Sequence, residues 1–272
     1  MMTLLLSPAI AYCENYLFPT DIVPVNTFDA QIGVGERDYK NKFETLFLGL
    51  PVRINGYIKT TTEIAMLRYG ITENTHIGVL GIKNQLEITS KTGSGSAFQA
   101  DFNFKSNRAA NPSIFVKHRI LNDETSPLSL AAIANLRLNI ANNNYTGLDL
   151  GLMAGWRFNE ALRAYAEVTT LFTDQDKRAD SQTLELGFHK QITPRITLVP
   201  YFEYNHFESV KGISAINYQK LGLKALVEVF PKTYLIPELQ HFNVSAFSDL
   251  AGSKTSASFN EKAYAISLYH LF

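Results

Sequence analysis

The chain has 272 residues, with 25 basic and 25 acidic side chains, one cysteine, 46% hydrophobic and 12% aromatic residues, but only 18% charged ones. Balanced charge gives no long-range field to gather a polyanion, so nucleic acid is not an expected partner, and a single cysteine excludes an intrachain disulfide framework. The best apolar run, Leu128 to Ile140, is short and carries Asn135 and Arg137, which excludes a bundle of membrane-spanning helices needing ~20 apolar residues each.

Residues 1–11 read as a secretory signal: the apolar stretch 4–11 (LLLSPAIA) ends in a small-residue cleavage pattern after Ala11, although no Lys or Arg precedes it. Cys13 is an alternative lipid-attachment site, against which the bulky Tyr12 speaks. Residues 12–26 form an N-terminal extension, and 27–272 the main domain.

From there apolar residues recur at every second position between turn signals, the period of a strand. Leu148, Leu150, Leu152, Ala154, Trp156 and Phe158 share one face, with Gly147, Asp149, Gly151, Met153, Gly155 and Arg157 on the other. Leu162 to Phe172 and Leu221 to Val229 repeat the pattern. Strands are expected near 27–36, 56–69, 76–88, 112–121, 128–140, 145–157, 162–173, 181–191, 195–208, 216–230, 234–247 and 259–272. Several exceed the usual five or six residues and reach the roughly 9 to 11 that cross a bilayer at a tilt.

Connections alternate between tight (70–75, 122–127, 159–161, 191–194, 231–233) and long (37–56, 90–111, 174–180, 209–215, 248–258), with 141–144 the short exception. Short turns on one side and longer loops on the other mark outer-membrane barrels. Trp156, Phe158, Phe172, Phe202, Tyr204, Phe230 and Tyr234 fall near strand ends, as an interfacial girdle requires. The expected fold is all-β, an antiparallel up-and-down transmembrane β-barrel of about 12 strands, within a range of 10 to 14. Phe98 to Phe104 alternate inside the 90–111 loop, which leaves room for an extra strand. Outer-membrane lipid is one expected partner.

Two passages resemble a known family. Residues 66–79 (MLRYGITENTHIGV) and 116–130 (VKHRILNDETSPLSL) are similar to two hairpins of the outer-membrane barrels named after the meta-pathway of phenol degradation. The resemblance is clearest over roughly 56–157. It implies passage of small, apolar or aromatic solutes and brings no residue set with it. The C-terminal strand, with Tyr264, Ile266, Leu268 and Phe272 at every second position and His270 between the last two, resembles the signature read by the outer-membrane assembly machinery, a second expected partner.

If the oily faces meet lipid, the opposite faces put Arg68, Lys117, Arg119, Arg137, Asp149, Arg157, Arg163, Glu167, Glu185, Glu203, Lys224, Glu228 and Glu238 toward the lumen. Early strands then supply mostly cations and late strands mostly carboxylates, facing each other across a narrow bore. This suits a polarised pore for small solutes or a lumen closed by ion pairs. His241, Asn243 and Ser245 alternate on a late strand, the arrangement of an outer-leaflet lipid hydrolase, but a polar strand end explains them equally. Glu185 and His189 read as a satisfied pair in the lumen. No catalytic set, metal site or cofactor is expected. The reading is a passive channel of the bacterial outer membrane, with a closed structural or adhesive barrel as the alternative.

Overall fold

The computed structural model describes residues 18–47, 50–92, 101–109, 112–122, 126–138, 146–173, 180–208, 215–250 and 253–272. The expected signal and Cys13 lie outside them. The described chain forms thirteen strands: β1 (Phe28–Phe47), β2 (Leu50–Thr72), β3 (Thr75–Thr92), β4 (Phe102–Ala109), β5 (Ser113–Leu121), β6 (Leu128–Arg137), β7 (Gly147–Asn159), β8 (Leu162–Thr173), β9 (Ser181–Thr193), β10 (Ile196–Phe207), β11 (Ile216–Phe230), β12 (Thr233–Leu250) and β13 (Ser253–Leu271).

Each pairs antiparallel with its neighbour, and β1 pairs with both β2 and β13, which closes the sheet. β5 pairs with Thr75–Leu80 of β3, and β4 with Lys83–Ser90 of the same strand, so β4 and β5 occupy one position in the ring. The result is a closed antiparallel barrel of twelve strands. Followed once round, the register returns to β1 displaced by about 14 residues, which corresponds to a strand tilt of about 40°.

The alternation runs opposite to that of a soluble sandwich. Leu152, Leu221 and Leu239 are 64%, 60% and 66% exposed, whereas Arg68, Lys117, Glu185 and Glu203 are buried. Large apolar side chains outside and charges inside require hydrocarbon as the outer solvent. The tight turns at 73–74, 160–161, 194–195 and 231–232 share one end of the barrel with Phe28 and Phe272, whose backbones are joined by a 2.9 Å hydrogen bond. Exposed aromatics mark both rims: Phe28 against Tyr69, Trp156, Phe158 and Phe230 at the turn end, and Phe172 and Tyr264 at the other. Tyr234 is an exception to the expected girdle. It points inward and packs against Tyr269 at 6.0 Å, because its side of β12 is the lumen side.

Two of the long connections expected as loops are strand. Residues 37–47 and 50–56 form the upper half of β1 and β2, and 248–250 and 253–258 the top of β12 and β13. Within 90–111, β4 adds to β3. Beyond the bilayer neither face must be oily, so the period-two signal fades while backbone pairing continues. Outward-facing ion pairs mark that emergence, one on each successive strand pair: Glu36 with Lys59, Glu63 with Lys83 at 3.0 Å, and Glu87 with Lys105 at 3.1 Å.

Replacing the lipid-facing Leu152 by Arg should lower barrel stability by about 2–4 kcal/mol, and Thr61→Arg, above the apolar band, by about 0–1. Urea unfolding in lipid vesicles measures both; equal costs would contradict the position of the band.

Candidate functional site: a lumen closed by an N-terminal segment

The inner wall mixes apolar and charged side chains. Met66, Leu80, Ile82, Phe115, Ala131, Ile133 and Met153 on β2 to β7 share one buried cluster with Val199, Leu226 and Ile236 on β10 to β12. On β8 to β12 the wall carries Glu167, Glu185, Glu203, Lys220, Lys224 and Glu238, all buried. Three of these carboxylates accept a tyrosine hydroxyl: Tyr165 donates to Glu185 at 2.6 Å, Tyr218 to Glu203 at 2.7 Å, and Tyr201 to Glu238. Two of the tyrosines cross a neighbouring glycine to get there. A Cβ on Gly187 would stand 2.6 Å from the Tyr165 ring, and one on Gly222 2.1 Å from that of Tyr201. Glycine thus lets an aromatic side chain lie flat along the wall of a narrow barrel. Lys220 donates to Glu203, both fully buried, and Lys224 stands 4.0 Å from Glu238.

Of the thirteen residues assigned to the lumen from sequence, Arg68, Lys117, Arg137, Glu167, Glu185, Glu203, Lys224 and Glu238 are buried, Arg119, Asp149, Arg163 and Glu228 are half-buried, and Arg157 is exposed. Arg68 grips Asp29 through two hydrogen bonds of 2.8 and 2.7 Å, with the Tyr269 hydroxyl on the same carboxylate. Arg137 grips Asp149 in the same way at 2.8 and 2.6 Å, joined by Asn135. Lys117 is buried on β5. Arg119, Arg157 and Glu228 sit at the turn end: Arg119 donates to Asn74 and to the Glu73 carbonyl, Glu228 accepts from the Lys232 backbone, and Arg157 is exposed. Arg163 meets the N-terminal segment.

The expected division into a cationic and an anionic wall gives way to local pairing. Asp29 and Asp149 stand among the cations, and Lys220 and Lys224 among the carboxylates, because a charge buried in so narrow a bore finds its counterion on an adjacent strand. Lys220 shares the parity of Lys224, so alternation alone would have placed it inward. Asp29 escaped because it opens the first strand, where no pattern yet exists.

His241 and Asn243 are exposed on the outward side of β12, away from the buried groups; the Ser245 side chain lies outside the described residues. Glu185 and His189 both face inward, Glu185 held by Tyr165 and His189 edge-on to Phe18 at 5.1 Å. Tyr264, Ile266, Leu268 and Phe272 are exposed on the outer face. Among the described residues no group of three or more His, Cys, Asp or Glu side chains could hold a metal ion.

What alternation could not find is residues 18–26, which fold into the turn end of the lumen. Phe18 is 2% exposed, and Thr20 and Val23 are buried. The Thr20 hydroxyl meets that of Ser129 at 2.7 Å, the Val23 N–H donates to His76 Nδ1 at 3.2 Å, and Asp21 pairs with Arg163 at 3.3 Å. Asn26, at φ 57°, turns the chain into β1, and its N–H donates to the Gly70 carbonyl at 3.0 Å. Asn tolerates that left-handed conformation better than most residues. A Cβ on Gly70 would stand 2.1 Å from the Pro24 carbonyl oxygen, so the segment crosses β2 only where β2 has no side chain. A cavity of about 20 Å³ remains beside it, bounded by Val23, Asp29, Arg68 and Tyr269, with room for about one water.

No family model and no curated protein matches the sequence. Solved structures match the fold. An outer membrane channel from Pseudomonas putida F1 aligns over 93% of this chain and 98% of its own, at TM-score 0.58 and 11% identity. The CymD monoaromatic hydrocarbon channel aligns over 92% and 89%, at 0.50 and 7%. A FadL homologue from Pseudomonas aeruginosa aligns over 96% of each, at 0.50 and 11%. At such identities the likeness is one of architecture: the chain has the fold of outer-membrane β-barrels.

Removing one partner of the fully buried pair, as in Lys220→Met or Glu203→Leu, should cost about 3–5 kcal/mol, whereas the double variant should cost much less than the sum. Urea titration of all three variants, followed by the gel shift between folded and heated barrel, measures the coupling; additive costs would contradict it.

Proposed function

We propose that the protein is a passive channel of the bacterial outer membrane for small solutes, and that the two hairpins at 66–79 and 116–130 reflect kinship with the meta-pathway barrels that they resemble. The observation that carries this reading is the manner of closure. The turn end of the lumen is filled by a separate segment, residues 18–26, held largely by side chains and a few hydrogen bonds, rather than by strands of the wall. A closure of that kind can move while the barrel stays intact.

The mixed apolar and polar wall supports solutes with an apolar body. Met66, Leu80, Ile82, Phe115 and Ile133 offer a dry face, while the tyrosine and carboxylate groups offer hydrogen bonds. The aromatic preference draws support from a neighbour described as a monoaromatic hydrocarbon channel. In this reading Arg68, Lys117, Arg137, Asp149, Arg163, Glu167, Glu185, Glu203, Lys224 and Glu238 line the path, with Arg119, Arg157 and Glu228 at its inner mouth. Transport is diffusive.

The fully buried Lys220 and Glu203 favour a second reading, a barrel closed along its length and serving a structural role. Planar-bilayer recording separates the two. The wild type should conduct weakly, and Gly155→Val, whose side chain would occupy the space of Phe18 and so unseat the segment, should conduct several-fold more. Silence of both variants across a wide voltage range would leave the structural reading.

A further inference from the structure

Phe18 does more than fill space. Its ring edge enters a notch in β7 made by Gly155, where a Cβ would stand 2.3 Å from Phe18 Cε1. Tyr165 meets the ring edge-to-face at 6.0 Å and His189 at 5.1 Å. The Arg163 guanidinium lies over its face, 3.6 Å from the centroid. Each contact suits a planar, electron-rich ring: edge-to-face partners match its quadrupole, and a cation is drawn to its π face. A saturated ring of similar size would fit the notch but would gain little from the guanidinium.

None of these contacts depends on Phe18 being part of the chain. Its connection to the barrel passes through Thr20, Val23 and Asn26, which hold the segment at Ser129, His76 and Gly70. Phe18 can therefore leave its notch while the anchors that follow it stay in place.

We propose that the notch formed by Gly155, Arg163, Tyr165 and His189 is a binding site for an aromatic ring, and that Phe18 is its resident occupant. An aryl solute, neutral and electron-rich such as a phenol, competes with Phe18 for the site. By holding Phe18 out, the solute removes one of the contacts that keep the segment across the inner mouth of the lumen. This deepens the channel reading and rests on it for the transport step, but binding itself does not require conduction.

The test is equilibrium binding of 4-fluorophenol to the full-length protein in nanodiscs, followed by fluorine NMR, with cyclohexanol as the non-aromatic competitor. Phe18→Ala should bind 4-fluorophenol saturably and at least tenfold more tightly than the wild type, where Phe18 competes. Phenol should displace the probe, and cyclohexanol should not. In the Phe18→Ala background, Gly155→Val should abolish binding and Arg163→Leu should weaken it several-fold, with heat-modifiable gel migration confirming that each barrel is folded. Equal affinity in wild type and Phe18→Ala, equal displacement by cyclohexanol, or no saturable binding to folded Phe18→Ala would each overturn the proposal. A silent bilayer recording combined with saturable binding would count against the channel reading and leave the ring site standing.

Discussion

Everything in this barrel follows from a sheet that has no aqueous face in its middle third. Hydrocarbon on one side and a narrow bore on the other leave water unable to satisfy the backbone, so each strand must pair on both edges and the sheet must close on itself. Closure at twelve strands then fixes the tilt and the width of the lumen, and these fix what the inward side chains can do. They are too crowded to remain hydrated and too polar to be left unpaired.

The lumen resolves that conflict locally. Tyrosines lie over Gly187 and Gly222 and give their hydroxyls to Glu185 and Glu238, while lysines and arginines find carboxylates on adjacent strands. Asp29, Asp149, Glu203 and Glu238 each gain both a counterion and a neutral donor, the condition under which burial of a pair costs little. Met66, Leu80, Ile82, Phe115 and Ile133, which lie between these polar groups, need no such arrangement.

The hairpin at residues 66–79 takes on meaning from the segment that docks on it. Gly70 admits the Pro24 carbonyl, and His76 accepts the Val23 N–H. Read along the chain, the pair frames a strand reversal; in space it is a landing site for residues about fifty positions earlier. The same holds for Gly155, which looks like one more small residue on a polar strand face until Phe18 is seen to occupy its place.

Alternation determined the closed transmembrane barrel and most of its strands, because the contrast between lipid and lumen imprints a period of two on every crossing; it did not find β4, and it put Tyr234 in the girdle rather than in the lumen. It lost the upper halves of β1, β2, β12 and β13, because beyond the bilayer neither face must be oily and the contrast is no longer imposed. Only the tertiary structure decided which charges pair, since register sets strand neighbours and therefore counterions, as for Arg68 with Asp29 and Lys220 with Glu203. It alone also decided that residues 18–26 enter the lumen, because a segment with no repeating pattern is positioned by the shape and hydrogen bonds of the cavity that receives it.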